Sequence, residues 1–267
     1  MSKRACVLVL GITVTTLRLG AQTPDSESRS QANRCAKEIF HAPLANPSEP
    51  ANMFRYAGDG QVDFGLTQPF TLYTLEGKTT SWQVGLRPAI ASRFQVRDPQ
   101  LLLKAADLHL GIPVTVRKGK WAARVELFHL SSHRGADFAA SRAAPNFTYS
   151  REVVQVLLAY GDPDRWRLYA GPAVTLHTRS SGLGRLSFQA GSEWFPKSLV
   201  RPHWRFYFAE DFATQQETGW RVNYSVQPGA LFTTHGGEHV ARLGAWFSSG
   251  QTPFGQFFRE RETLGGV

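Results

Sequence analysis

Cysteine is almost missing from this chain of 267 residues: there are two, Cys6 and Cys35. Cys6 sits in the apolar N-terminal stretch, so a chain trimmed there keeps only Cys35, and no intrachain disulfide framework can form. Methionine is equally scarce, with two residues. Beyond the N-terminal stretch there is no apolar run long enough to cross a bilayer as a helix, and the mean hydropathy of −0.27 excludes a helical membrane protein. A glycine loop with the lysine that cradles phosphate is missing, and so is the His-Glu-x-x-His pattern of zinc hydrolases.

What is present begins with the N-terminus. Lys3 and Arg4 precede the apolar ACVLVLGITVTTL, and small residues follow near Ala21. That order predicts a signal peptide over residues 1–21, cleaved on export; a membrane anchor is the alternative. No Leu-x-Gly-Cys pattern for lipid attachment accompanies it. Removing it takes three of the 30 basic residues and none of the 21 acidic ones, so the chain stays basic. An exported basic protein points to anionic lipid rather than nucleic acid as partner. Residues 22–50 are polar, and Pro43, Pro47 and Pro50 in FHAPLANPSEP deny that stretch a ladder or a helix. We therefore expect residues 22–80 to be a partly irregular periplasmic extension.

From Trp82 onward the chain alternates with period two, as strands with one apolar face do. Trp82, Val84, Leu86 and Ile90 oppose Gln83, Arg87 and Arg93. Leu108, Leu110, Ile112 and Val114 oppose Asp107, His109 and Thr115. Trp121, Val125 and Leu127 oppose Arg124 and Glu126, and similar segments follow to the end. Each is about ten residues or longer, enough for a tilted strand to cross a bilayer. Aromatic residues recur at their ends, as at a water–lipid boundary. The expected fold is all-β: an antiparallel transmembrane β-barrel of about 10–12 strands over residues 81–267. Its lumen would carry Arg87, Arg93, Arg124, Arg167, Arg205 and Arg221. The chain finishes TLGGV without a terminal aromatic residue, so either the last strand is incomplete or this barrel breaks the terminal-aromatic pattern. The alternative is a soluble periplasmic β-domain.

Several stretches resemble an outer-membrane-associated family known as domain of unknown function 1207. They are FHAPLANPSEP, ELFHLSSHRGAD, YSREVVQVLLAYG with the RLYAGP that follows, and TPFGQFF. The most specific is the core Ser132, His133, Gly135 and Asp137. The family pattern has two acidic residues after that glycine; here Ala136 takes the first place. The resemblance implies a barrel and export, and no established activity.

The segment ELFHLSSHRGAD also carries candidate chemistry. RKGK and GDPD are short turns, so they would be periplasmic, and the long connection after Ser132 would be external. Continuing the apolar face by twos places His129 and Ser131 outward, and the next strand brings Glu152 beside His129. A serine, a histidine and a carboxylate are the acyl-transfer set. This His-x-Ser resembles those of outer-membrane phospholipase A and lipid A deacylase, which implies outer-leaflet lipid hydrolysis by Ser131, His129 and Glu152. The phospholipase continues Asn-Gly where this chain has Ser132 and His133, so the oxyanion donors are unidentified. Because Phe128 and Leu130 are apolar too, a bulge turning His129 and Ser131 into the lumen stays open. The four-residue spacing of His129, His133 and Asp137 suits a metal only on a helix, so no metal or other cofactor is expected.

The expected function is an outer-membrane barrel of a Gram-negative bacterium that is structural, binding, or a narrow anion-favouring passage. The alternatives are the lipid or lipopolysaccharide acyl hydrolase and the soluble periplasmic domain. The expected partners are outer-membrane lipid or lipopolysaccharide, and the barrel-assembly machinery during insertion.

Overall fold

The computed structural model describes residues 2–4, 39–97, 100–136, 148–162, 164–179, 183–197, 204–233 and 240–267. Its strands are β1 (Ser2–Arg4), β2 (Met53–Tyr56), β3 (Gln61–Thr67), β4 (Phe70–Glu76), β5 (Thr80–Arg97), β6 (Gln100–Lys118), β7 (Trp121–Arg134) and β8 (Tyr149–Asp162). They continue with β9 (Trp166–Thr178), β10 (Leu186–Trp194), β11 (Trp204–Gln215), β12 (Val222–Thr233), β13 (Val240–Gly244), β14 (Trp246–Gln251) and β15 (Arg261–Gly266). Every pairing is antiparallel, and from β5 to β12 each strand pairs with the next. β3 and β4 share one wall position along β5, and β13 and β14 share one along β12. Among the described residues the sheet has twelve strand positions, and an Ala57–Gly266 bridge nearly closes it into a barrel.

The alternation that predicts the strands also sorts their faces. Leu108, Leu110, Ile112 and Val114 of β6 are exposed, while Ala105, Asp107, Gly111 and Thr115 between them are buried. On β7, Trp121, Val125 and Leu127 are exposed, and Ala122, Arg124 and Glu126 are buried. The barrel is thus apolar outside and charged inside, the reverse of a water-soluble domain. Proline marks an interruption. β3 and β4 break at Gln68 and Pro69, opposite Pro88 of β5, whose missing N–H has no ladder bond to offer there.

One boundary differs from expectation. The wall begins at Met53, not near residue 81: β2 to β4 pair into the sheet beside β5. Their apolar residues include Phe54, Phe64, Leu66 and Leu72, all exposed on the outer face. These strands are short and interrupted by proline and glycine, so their alternation is weak in sequence. The C-terminal residues also form a strand. β15 pairs with β14 over six positions, and Val267 exchanges backbone hydrogen bonds with Tyr56 at 2.8 and 3.1 Å. Backbone bonding closes the seam without a terminal aromatic. Within the segment expected to be a signal peptide, residues 2–4 pair with β4, and the remainder lies outside the described residues.

Candidate functional site

The lumen is occupied by the chain itself. Proline-rich residues 39–50, expected as part of a partly irregular periplasmic extension, thread inside the wall. A segment that cannot build a ladder leaves its carbonyls free, and the wall's arginines use them. Arg117 donates to the Ile39 carbonyl at 2.7 and 3.1 Å, and Arg167 to that of His41 at 2.5 Å. Phe40 lies under both Arg124 and Arg167, with guanidinium-to-ring distances of 5.2 and 5.5 Å. The backbone N–H of Leu44 donates to Glu193 at 2.9 Å, and Ser225 donates to the Ala45 carbonyl.

Glu49 anchors the inner end of this segment. Its carboxylate accepts from Arg124 at 2.6 and 3.1 Å and pairs with Arg87. Burial opposes its ionisation, but the attraction and hydrogen bonds of Arg124 and Arg87 outweigh that and hold its carboxyl well below the usual carboxylate range. Arg87 turns its other edge to Glu126, with Nε donating to Oε1 at 3.0 Å. Glu126 is fully buried and has Arg124 Nε within 3.5 Å. The chain continues through neutral groups. Arg124 donates to Gln155, Gln155 to Gln189, and Gln189 to Asp211, which also accepts from Tyr169 at 2.7 Å. Three further ion pairs hold the wall: Arg93 with Asp63, Arg93 with Glu262, and Arg167 with Glu193.

The expected inward arginines therefore divide. Arg87, Arg93, Arg124 and Arg167 are buried in the lumen. Arg205 is partly exposed near the short-turn end, stacked on Phe195 and bonded to Asp164 at 3.0 Å. Arg221 is exposed just before β12 begins, so it lines no lumen. The four buried ones are each paired with a carboxylate. Glu126 and Glu193 alternate inward in the sequence with the arginines; Glu49 was hidden among prolines.

A second closure comes from residues 252–260, between β14 and β15. The chain folds inward there, and Phe254, Phe257 and Phe258 are buried. A short 3-10 turn at Gly255–Phe257 shapes it. Asp107 of β6 and Ser132 of β7 hold it. Ser132 donates to Asp107, and the Gly255 N–H donates to the other Asp107 oxygen at 3.0 Å. The Gln256 N–H donates to Ser132 Oγ at 2.9 Å, and its side chain reaches the Ser132 carbonyl at 2.9 Å. Gly255 faces the Tyr149 ring so closely that any Cβ would collide with it. Gly135 is likewise pressed on the Leu103 carbonyl.

A profile for the family described as "Protein of unknown function (DUF1207)" matches residues 51–267. The chain belongs to the DUF1207 family. No curated protein matches it in sequence. Two of the stretches that resemble the family meet in this DUF1207 barrel: Ser132 comes from one, and Gly255 and Gln256 from another. FHAPLANPSEP, just upstream of the matched residues, supplies the segment inside the lumen.

The outer rim of the DUF1207 barrel carries the sequence-predicted acyl-transfer residues. β7 pairs with β8 in continuous register, without a bulge. His129 and Ser131 thus stay on the outer face, while Phe128 and Leu130 point inward, Phe128 packing on the His109 ring at 4.8 Å. Glu152 is directly opposite His129, with Nδ1 to Oε1 at 3.0 Å. Ser131, however, bonds the Nε2 of His133 at 3.1 Å. The four residues form two pairs, His129–Glu152 and Ser131–His133, rather than one relay through a single imidazole. Asp137 lies outside the described residues.

Proposed function

We propose that this chain is an outer-membrane β-barrel of a Gram-negative cell whose lumen is closed by its own residues, and that it works as a structural or binding protein instead of an open channel. The apolar outer belt against a charged interior supports the membrane, since in water that belt would be a large exposed hydrophobic surface. The observation that carries the closed state is Glu49 clamped by Arg87 and Arg124 inside the wall. The purified protein in planar bilayers is expected to show no steady current, and boiling should shift its gel mobility as a folded barrel's does. A constant ohmic conductance would overturn the closed reading. Recovery in the soluble periplasmic fraction would overturn the membrane one. The partners on this reading are outer-membrane lipid or lipopolysaccharide, with the barrel-assembly machinery during insertion.

A second reading rests on the rim. His129 bound to Glu152 on the outer face suits an outer-leaflet acyl hydrolase, with Ser131 as nucleophile. In the free protein Ser131 leans to His133, so catalysis on this reading requires its hydroxyl to turn to His129 or His133 to act as the base. Acyl release from phospholipid or lipopolysaccharide is expected to fall at least 100-fold in Ser131→Ala. Equal release by both proteins, or none by either, would remove this reading.

A further inference from the structure

Between the two closures lies a cavity of about 190 Å³. The N-terminal segment contributes residues 46–51 to its wall, and the inward loop contributes Thr252, Pro253, Phe254, Gly255 and Phe258. That is well above the room a single water needs and below the usual size of a drug-binding pocket.

The charged groups bordering this cavity are already committed. Arg87 is held by Glu49 and Glu126, Arg151 bonds Glu217 at 3.2 Å, and Glu262 is paired with Arg93. Asp107 accepts from Ser132 and the Gly255 N–H, and Asp211 accepts from Tyr169 and Gln189. Neutral groups are different. Ser187 of β10 and Gln215 of β11 are cross-strand neighbours, and Ser248 of β14 sits opposite Ser225 of β12. All three face the cavity, and the side chains of Ser187, Gln215 and Ser248 make no hydrogen bond among the described residues. Tyr149, Phe254 and Phe258 also line the cavity.

A charged ligand would find the counter-charges taken and would pay desolvation without repayment. An apolar ligand would leave the free hydroxyls and the amide unsatisfied. A solute with several hydroxyls and one apolar face satisfies both kinds of lining. We infer that the cavity is a binding site for a small neutral polyol of monosaccharide size, with Ser187, Gln215 and Ser248 as its hydrogen-bonding groups. This rests on the closed-lumen reading, because both closures build the cavity walls.

The test is calorimetric titration of the full protein in detergent with D-glucose, D-galactose, myo-inositol and, separately, inorganic phosphate. Saturable binding of at least one polyol, without phosphate binding, is expected. Gln215→Leu and Ser248→Val should each weaken it at least tenfold while the heat-dependent gel shift stays intact. No polyol binding by the folded protein, preference for phosphate, or unchanged affinity in both folded variants would overturn the inference. Failure here leaves the bilayer result standing, whereas a steady current would remove the closed-lumen reading itself.

Discussion

Glu126→Ala is expected to be the most destabilising single substitution in the lumen. Glu126 is fully buried and sits between Arg87 and Arg124, with a hydrogen bond of 3.0 Å to the first and 3.5 Å to the nearest guanidinium nitrogen of the second. Removing it leaves Glu49 as the single carboxylate opposite two guanidiniums. Breaking a buried pair by deleting one partner costs about 3–5 kcal/mol, since the remaining charge stays buried without compensation. The loss should therefore exceed that of a large-to-small change on the outer face, where no charge is stranded. Urea unfolding in detergent, followed by tryptophan fluorescence, measures it. The double variant Glu126→Ala with Arg87→Leu separates charge from packing. If stranded charge is the cause, the second change restores part of the loss; two additive losses would show the pair is not coupled.

Glu126 alternates with Trp121, Val125 and Leu127, and so its inward direction follows from period two alone. The same rule places His129 and Ser131 outward and puts Glu152 across from His129, and the register agrees at each position. Alternation is local, which is why it survives without knowledge of the whole fold. Two kinds of information were not local. The occupant of the lumen is a segment without periodicity, and its prolines say only what it cannot form. Glu49 finds Arg87 and Arg124 across 38 and 75 positions of chain. Likewise, the pattern TPFGQFF looks like more strand, yet its rings are buried on an inward turn held by Asp107 and Ser132. The choice between His129 and His133 as partner of Ser131 also lay beyond spacing, since both are two residues away on the same face.

Emptying the lumen is expected to produce the largest change in behaviour. Deleting residues 39–50 removes Glu49 from Arg87 and Arg124, and removes the carbonyls that hold Arg117 and Arg167. Replacing residues 252–260 by a short Gly-Ser turn opens the other end. The doubly opened barrel should pass discrete current steps in a planar bilayer where the parent is silent. Those steps should favour anions, because guanidiniums that are neutralised in the closed protein then face water. Without Glu49, Arg87 and Arg124 share the single carboxylate of Glu126. Acid should act in the same direction on the parent. With its folded pKa depressed, Glu49 contributes its full anchoring above its ordinary value near 4.3 and loses it as the pH falls toward the folded value. Neutral pH thus favours the closed lumen. A doubly opened barrel that keeps its heat-dependent gel shift and stays silent would mean that the wall itself, rather than these two segments, closes the passage.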